Sequence, residues 1–394
     1  MIKLKAYKFR LKLTPTQEWQ CRNFAGQVRF VWNKGLSLQK ERLSRNEKTL
    51  GYVKLCSELT RWRNSEETEF LAEGPNHTQQ QKLKDLNLAL KDAFDKSQPN
   101  KRFPVTKKKG KCRDSFRFPD PEQFEVDFGH RQIKLPKLGW IRLQKTSKRQ
   151  KKRLKIEGTP KQITVTRKGE FWFASIQVEI ETEDVVHAST TAVGGDLGVA
   201  KFLALSDGTI YDSINSFKKL QKRLAREQQK FARMVKFSKN WKKQQKKIAR
   251  IHEKIANCRH DHIHKISDEI SKNHAVVVLE DLRIINMSKS AKGDQENPGK
   301  NVKAKSGLNR SILDQGWGMF RELVEYKQKW RGGQLVLIPP MFTSQECSAC
   351  HHVSKNNRKT QSLFICEACG HTKDADLNAA ENIYAAGHAV YASS

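Results

Sequence analysis

Residues 2 to 13, Ile-Lys-Leu-Lys-Ala-Tyr-Lys-Phe-Arg-Leu-Lys-Leu, alternate apolar and polar side chains in a mostly two-residue period, which predicts a strand. The period changes at Thr14-Pro15-Thr16-Gln17, where Thr can cap a helix and Pro suits its first turn. Phe24, Val28, Val31, Trp32 and Leu36 then recur at helical spacing and are expected in a core. Helical patterns also cover about 53 to 64 and 77 to 96, the latter through Leu83, Leu86, Leu88, Leu90 and Phe94. Residues 14–98 therefore form a small helical lobe that Pro99 ends. From Ser115 to Glu181 the pattern turns to short alternating runs separated by Gly, Pro and Asp, which suggests an antiparallel barrel or sandwich. The opening strand has no partner nearby, so it is expected to join this sheet, making the lobe an insertion.

A new register begins near Thr190. Thr191 to Leu205 reads as two strands joined at Asp196-Leu-Gly198, with a third after Ser206-Asp-Gly208. Residues 215 to 273 are helical and form a hairpin, with Leu220, Leu224, Phe231, Val235, Ile248, Ile251 and Ile255 as its apolar stripes. Ala275-Val-Val-Val-Leu279 is fully apolar, as befits a strand covered on both faces. Ser288 to Asn309 is polar and predicts a mobile loop, with a lid as one reading. A helix from Ile312 to Trp330, a strand from Gln334 to Ile338 and a last helix from Asp376 to about Ala386 complete the pattern.

At 394 residues the chain calls for two or three domains. No apolar run approaches a membrane span. The formal charge of +33 calls for a polyanionic partner, and the basic segments lack the bulky apolar face of a membrane-surface helix, which leaves nucleic acid. Between Lys218 and Lys254 stand 15 Lys or Arg against two acids, more than solubility requires, so this hairpin (Lys218, Arg223, Lys243, Lys247) is read as a nucleic-acid track. The basic turn with Lys107, Lys108 and Lys109 is either a solvated loop or a phosphate contact, and Arg29 either a helix-face ion pair or a nucleic-acid contact.

Cys347-x-x-Cys350 and Cys366-x-x-Cys369 have the double spacing of a zinc ribbon, with a closed, structural Zn²⁺ in a thiolate shell. The other cysteines are scattered, and Met1 opens on charged residues, so a reducing, cytoplasmic compartment is expected. Asp196, Glu280 and Asp376 each stand at an element boundary. Singly, each reads as a turn residue, a surface charge or a helix cap. Three strands, helices, a strand, a helix, a strand and a helix is the order of the ribonuclease-H-like fold, in which these positions can converge. Gathered there they would repel unless cations lay between them, and two Mg²⁺ ions would meet that need and support phosphodiester hydrolysis.

Gly194-Gly-Asp-Leu-Gly198, Leu279-Glu-Asp-Leu282, Gln315-Gly-Trp-Gly318, Thr343-Ser-Gln-Glu-Cys-Ser-Ala-Cys350 and Asp374-Ala-Asp-Leu-Asn-Ala-Ala-Glu-Asn-Ile383 resemble the TnpB (OrfB) proteins of bacterial insertion sequences, as do Arg29-Phe-Val-Trp-Asn33 and Lys134-Leu-Pro-Lys-Leu-Gly-Trp140. The resemblance implies an RNA-guided DNA endonuclease of the bacterial cytoplasm and nucleoid. Its fold would be α/β plus β-barrel and helical lobe. A wedge-like β-barrel domain (1–13 and 99–189) would hold the inserted helical recognition lobe (14–98). An RNase H-like (RuvC) nuclease domain (190–340 and 374–394) would hold the zinc ribbon (341–373). Catalysis would fall on Asp196, Glu280 and Asp376, with Asp374 a neighbour. The partners would be a guide RNA from the transposon end, with one or two copies of the protein per guide, and double-stranded target DNA with a flanking motif. Tyr52, Asn76 and Gln80 lie where the family reads that motif. Gly195 replaces the apolar residue usual before the first Asp, and His351 the Gly usual after the first cysteine pair. A miniature type V CRISPR effector, a guide-directed repressor without cleavage and a plain zinc-ribbon binder are the rival readings.

Overall fold

In the computed structural model, residues 2–144, 157–183 and 185–392 are described; the side chains of 391 and 392 are not. The chain divides into two compact units, Met1–Glu183 and Asp184–Ser394.

The first unit is a seven-stranded antiparallel sheet with helices inserted after its first strand. Those helices are α1 (Pro15–Ser44), α2 (Tyr52–Arg63) and α3 (Asn76–Phe94). The strands are β1 (Ile2–Lys12), β2 (Ser115–Phe118), β3 (Glu125–Asp127), β4 (Gln132–Leu135), β5 (Gly139–Leu143), β6 (Thr159–Lys168) and β7 (Phe171–Glu181), in the order β2-β6-β7-β1-β5-β4-β3. The first strand does join the later ones, and it lies at the centre. It runs along β7 from Ile2 to Arg10 and then passes to β5 at Leu11. Its apolar phase slips midway: Tyr7, Phe9 and Leu11 face the core, whereas Ile2 and Leu4 are exposed. Inward residues of β2 and β4 to β7 share one core with Cys21, Phe24 and Val28 of α1.

Thr14 caps α1 as expected, its hydroxyl accepting from Gln17 N while Gln17 Oε1 accepts from Thr14 N. The far half of α1 enters a second core, where Val31, Trp32 and Leu36 meet Leu55, Leu59, Trp62, Leu83, Leu86 and Leu90. Leu88 and Phe94 do not join it; both are exposed, because the buried stripe follows 83, 86 and 90. Arg29, Trp32 and Asn33 fasten the basic segment that follows the lobe. Arg29 pairs with Asp114 at 3.1 Å, Trp32 Nε1 donates to Val105 O, and Asn33 exchanges two bonds with the Lys107 backbone.

In the second unit β8 (Ala192–Asp196), β9 (Lys201–Leu205), β10 (Ile210–Asp212), β11 (Val276–Glu280) and β12 (Gln334–Ile338) form a sheet in the order β10-β9-β8-β11-β12. The first three strands pair antiparallel, and β11 lies parallel to both β8 and β12. The helices are α4 (Ser216–Ala232), α5 (Lys239–Asn273), α6 (Ile284–Met287), α7 (Val302–Gln315), α8 (Trp317–Arg331) and α9 (Ala375–Ala392). Val277 and Leu279 pack on one side with Ile263 and Ile266 of α5 and Phe320 and Val324 of α8. Val276 and Val278 pack on the other with Ile383 of α9. That two-sided burial explains the uninterrupted apolar run.

Two expectations need correction. The polar segment expected to be a loop through Asn309 is helical from Val302, and the single helix expected from Ile312 is two helices broken at Gly316, whose φ is +74°. Few apolar residues are needed there, because Asp314 anchors α7 electrostatically. It is buried and accepts from Arg259 at 2.6 Å, Ser216 Oγ at 2.9 Å and Phe217 N at 2.8 Å. Asp314→Ala should leave the Arg259 charge stranded and cost about 3–5 kcal/mol, read as a melting temperature lowered by roughly 10 °C. In the hairpin, Val235 is exposed, and Leu224, Ile251 and Ile255 form its core.

Candidate functional site

The strand register of the second unit brings two carboxylates side by side. On parallel neighbours, Gly194 pairs with Val278 and Gly195 with Leu279, so the next step sets Asp196 beside Glu280. Both belong to the phase of Gly194 and Val278, the face that α9 covers. Helix α9 presents Asp376, Ala380, Ile383 and Gly387 at spacings of three and four, one side of a helix. Its approach is close because Gly194 has no side chain: a Cβ there would lie 2.4 Å from both Ala380 O and Tyr384 N. Asp376, in the first turn of α9, is thereby held near the ends of β8 and β11. Gly195 is less tight, its absent Cβ facing the side-chain ends of Leu203 and Leu279 at 2.9 and 3.0 Å. The departure from an apolar residue at 195 is thus a packing fit.

Electrostatics report the convergence. The Asp196 carboxyl is pushed up from 3.8 to about 7, first by burial and then by the Glu280 and Asp376 charges, with Arg358 opposing. Burial also raises Glu280, against a hydrogen bond from Thr343 Oγ1. Asp376 accepts from Arg358 at 3.1 Å and has Lys201 Nζ at 3.9 Å. Its neighbour Asp374 has another task, accepting from the Asp376 and Leu377 amides at the start of α9 and from Lys201 at 2.7 Å. Asp281 turns away to pair with Arg321.

The cysteine pairs meet on a short flap with strands β13 (Leu363–Ile365) and β14 (Thr372–Asp374). All four Sγ atoms lie within 4.8 Å of one another, with Cys347 to Cys369 at 3.8 Å and Cys350 to Cys366 at 3.5 Å. A thiolate tetrahedron around zinc, with bonds of about 2.3 Å, has edges of about 3.8 Å, so this cluster can hold zinc. His351 takes φ +60°, the conformation a Gly would adopt there, and its ring meets Glu346 at 2.8 Å. Gly370, after the second pair, has φ +74°.

Asn378 and Asn382 of α9 clamp the flap. Asn378 donates to Glu346 O and accepts from Ser348 N; Asn382 donates to Thr343 O and Glu346 O. This docking delivers Thr343 to Glu280 and Arg358 to Asp376. None of Thr343, Arg358, Lys201, Asn378 and Asn382 was assigned a role from the sequence. Two amides four apart on an apolar helix were a usable signal; a lone Arg in a polar loop was not.

Of the expected nucleic-acid residues, Arg223, Lys243 and Lys247 line one groove of about 550 Å³ on the helical hairpin with Arg250 and Lys254. Lys247 also pairs with Glu227 at 2.9 Å, and Lys218 is exposed outside that groove. In the first unit Lys108 and Lys109 are exposed. Lys107 instead lies 3.4 Å over the Trp32 ring, its amine lowered to about 8 by burial and by Lys82. Arg29 is committed to Asp114. Tyr52 and Asn76 open α2 and α3, with Gln80 one turn into α3; burial and Cys56 raise the Tyr52 hydroxyl to about 12.

The second unit thus carries acidic residues at one edge of a mixed sheet, beside a four-cysteine flap. Family descriptions match accordingly, "Probable transposase" over residues 175–291, "Cas12f1-like, TNB domain" over 317–383 and "Helix-turn-helix domain" over 1–48. Within 2–48 the structure has a strand and one long helix. The chain is 48% identical over 392 residues to "Putative RNA-guided DNA endonuclease InsQ" of Escherichia coli strain K12, covering 100% of this chain and 94% of that one. It is 31% identical over 394 residues to "Putative RNA-guided DNA endonuclease" of Streptomyces pristinaespiralis, covering 98% and 90%. It belongs to the TnpB (OrfB) family. In fold it is similar to the protein of a Cas12f1-sgRNA-target DNA complex, with a TM-score of 0.55 at 15% identity over 97% of this chain and 99% of that one. No helix among the described residues is long and apolar enough to cross a membrane.

Proposed function

We propose that this protein is an RNA-guided DNA endonuclease of an insertion sequence, hydrolysing target DNA with carboxylate-bound Mg²⁺. The carrying observation is that Asp196 stands beside Glu280 in the strand register and is pushed up to about 7, first by burial and then by the charges of Glu280 and Asp376. Strand order β10-β9-β8-β11-β12 supports reading the second unit as a RuvC-type nuclease domain (190–340 and 374–394) with an inserted zinc ribbon (341–373). The first unit, whose seven strands share one apolar core, supports the wedge-like barrel (1–13 and 99–189) with its recognition lobe (14–98). The donor set fits hard cations: oxygens only, and more negative charge than Arg358 and Lys201 neutralise. Such ions would activate water and stabilise the leaving oxygen. Asp196, Glu280 and Asp376 would hold them, Thr343 would fix the Glu280 carboxylate, and Arg358 would orient Asp376.

The guide would be RNA from the transposon end and the substrate duplex DNA with a flanking motif. The test is purification with co-expressed RNA, then addition of matching DNA and Mg²⁺. Cleavage supports the reading; binding without cleavage points to a repressor, and RNA-independent association to a plain binder. Gly194→Ala should lower cleavage about 100-fold with RNA retained, because displacing α9 by an ångström misplaces Asp376. For the hairpin, replacing Arg223, Lys243 and Lys247 together with Gln should lower the slope of log affinity against log salt by up to about 3 units.

A further inference from the structure

Gly26 stands in the middle of α1, where glycine is among the least favourable residues, and no feature of the fold requires it. It is absent from the positive-φ residues, and a Cβ there would meet nothing within 4 Å. Gly35 on the same helix is different: its Cβ would press on Leu83 and Leu86 at 3.0 Å, so packing accounts for it. The space over Gly26 is a cleft of about 660 Å³ within the first unit, bounded by α1, the basic segment after the lobe and β6.

One wall is aromatic. Trp19, Gly26 and Phe30 share a stripe of α1. Phe30 is braced edge-on by Phe70 at 5.2 Å, whereas Trp19 is 60% exposed. The other wall is cationic. Arg29 and Arg167 converge on the single carboxylate of Asp114, at 3.1 and 3.7 Å, and each keeps a buried Nε without a hydrogen-bond partner. Two guanidiniums on one carboxylate leave positive charge; of the other charged lining residues, Arg22 and exposed Lys109 add to it and Glu73 on the rim opposes it. Asn23, one turn before Gly26, adds an amide to the lining. A flat π-system suits the bare backbone between the aromatic rings, and an anion suits the far wall. Inorganic phosphate alone would use only the second, and an apolar ligand only the first.

We infer that this cleft receives one unpaired nucleotide of the bound nucleic acid, its base against Gly26 between Trp19 and Phe30 and its phosphate toward Lys109 and Arg167. The inference rests on the nucleic-acid reading above and adds a site apart from the acidic cluster. Both RNA and DNA offer this chemistry.

The test places the photo-crosslinker p-benzoylphenylalanine at Glu73, on the exposed rim of the cleft, in the full chain co-purified with its RNA. Irradiation with and without target DNA, followed by sequencing, locates the captured nucleotide. The expected result is a crosslink at one or two adjacent positions, in RNA without DNA or in DNA only when it is supplied. Gly26→Leu, which fills the cleft, should lower that yield at least about tenfold without reducing total copurified RNA. Trp19→Ala, at an exposed side chain, should also lower it, and Gly26→Ala should do so less. Scattered crosslinks, none, or a yield untouched by Gly26→Leu and Trp19→Ala would overturn the inference while leaving the nuclease reading intact. Failure to copurify any nucleic acid would remove both.

Discussion

Asp196→Ala is expected to reduce guide-directed cleavage by at least about 10³-fold, roughly 4 kcal/mol of barrier, with RNA and DNA binding kept. The reason lies in the register: Asp196 is the one member of the trio that burial and both other carboxylates act on together. A stability signature should accompany it. Because the folded Asp196 carboxyl titrates near 7 rather than 3.8, the folded chain binds a proton that the unfolded chain has released through that window. Stability without divalent ions therefore falls as pH rises from about 4 to 7. Asp196→Asn removes the penalty, so in EDTA its melting temperature should exceed the unmodified protein's by several degrees near pH 8 and match it near pH 4. Mg²⁺ should stabilise the unmodified protein most at the higher pH. Equal melting temperatures of the two proteins near pH 8 in EDTA would dismantle this account of the site.

The second large effect concerns the flap. Structural zinc contributes about 10–16 kcal/mol to folding in small zinc-binding peptides, as much as the net stability of a whole domain. The apolar cluster of the flap is only Cys347, Phe364, Cys366 and Ala375, so it has no comparable core of its own. Cys366→Ser should cut bound zinc, measured by mass spectrometry, from one ion per chain to a small fraction. It should also expose residues 341–373 to proteases and lower cleavage at least about 100-fold. Thr343 and Arg358 would no longer reach Glu280 and Asp376, and Asn378 and Asn382 would lose their backbone partners. Copurified RNA should persist, because the sheet keeps its own cores. A zinc-free variant with intact cleavage would sever the proposed link between flap and carboxylates.

Residues with short-range causes were legible. Thr14 and Gln17 box the start of α1 through bonds that span three residues, and Val276 to Leu279 are apolar because both faces of β11 are covered. The cysteine pairs carry their geometry in their spacing. What misled was local too. Leu88, Phe94 and Val235 fit helical periods yet are exposed, since a period gives a stripe without saying how wide the partner surface is. The polar start of α7 looked like a loop because its anchor, Asp314, finds Arg259 only after the chain has turned back on itself.

Most of the elements, the positive charge, the thiolate set and the acids at element ends were already legible in the order of residues, the break at Gly316 and the polar start of α7 excepted. Tertiary structure alone decided that Asp196 and Glu280 occupy neighbouring registers, and that the missing Cβ of Gly194 lets α9 bring Asp376 down to them. It also decided that a clamped flap supplies Thr343 and Arg358. Spacing along a chain encodes which side of a helix or strand a residue occupies. Only packing encodes which sides meet.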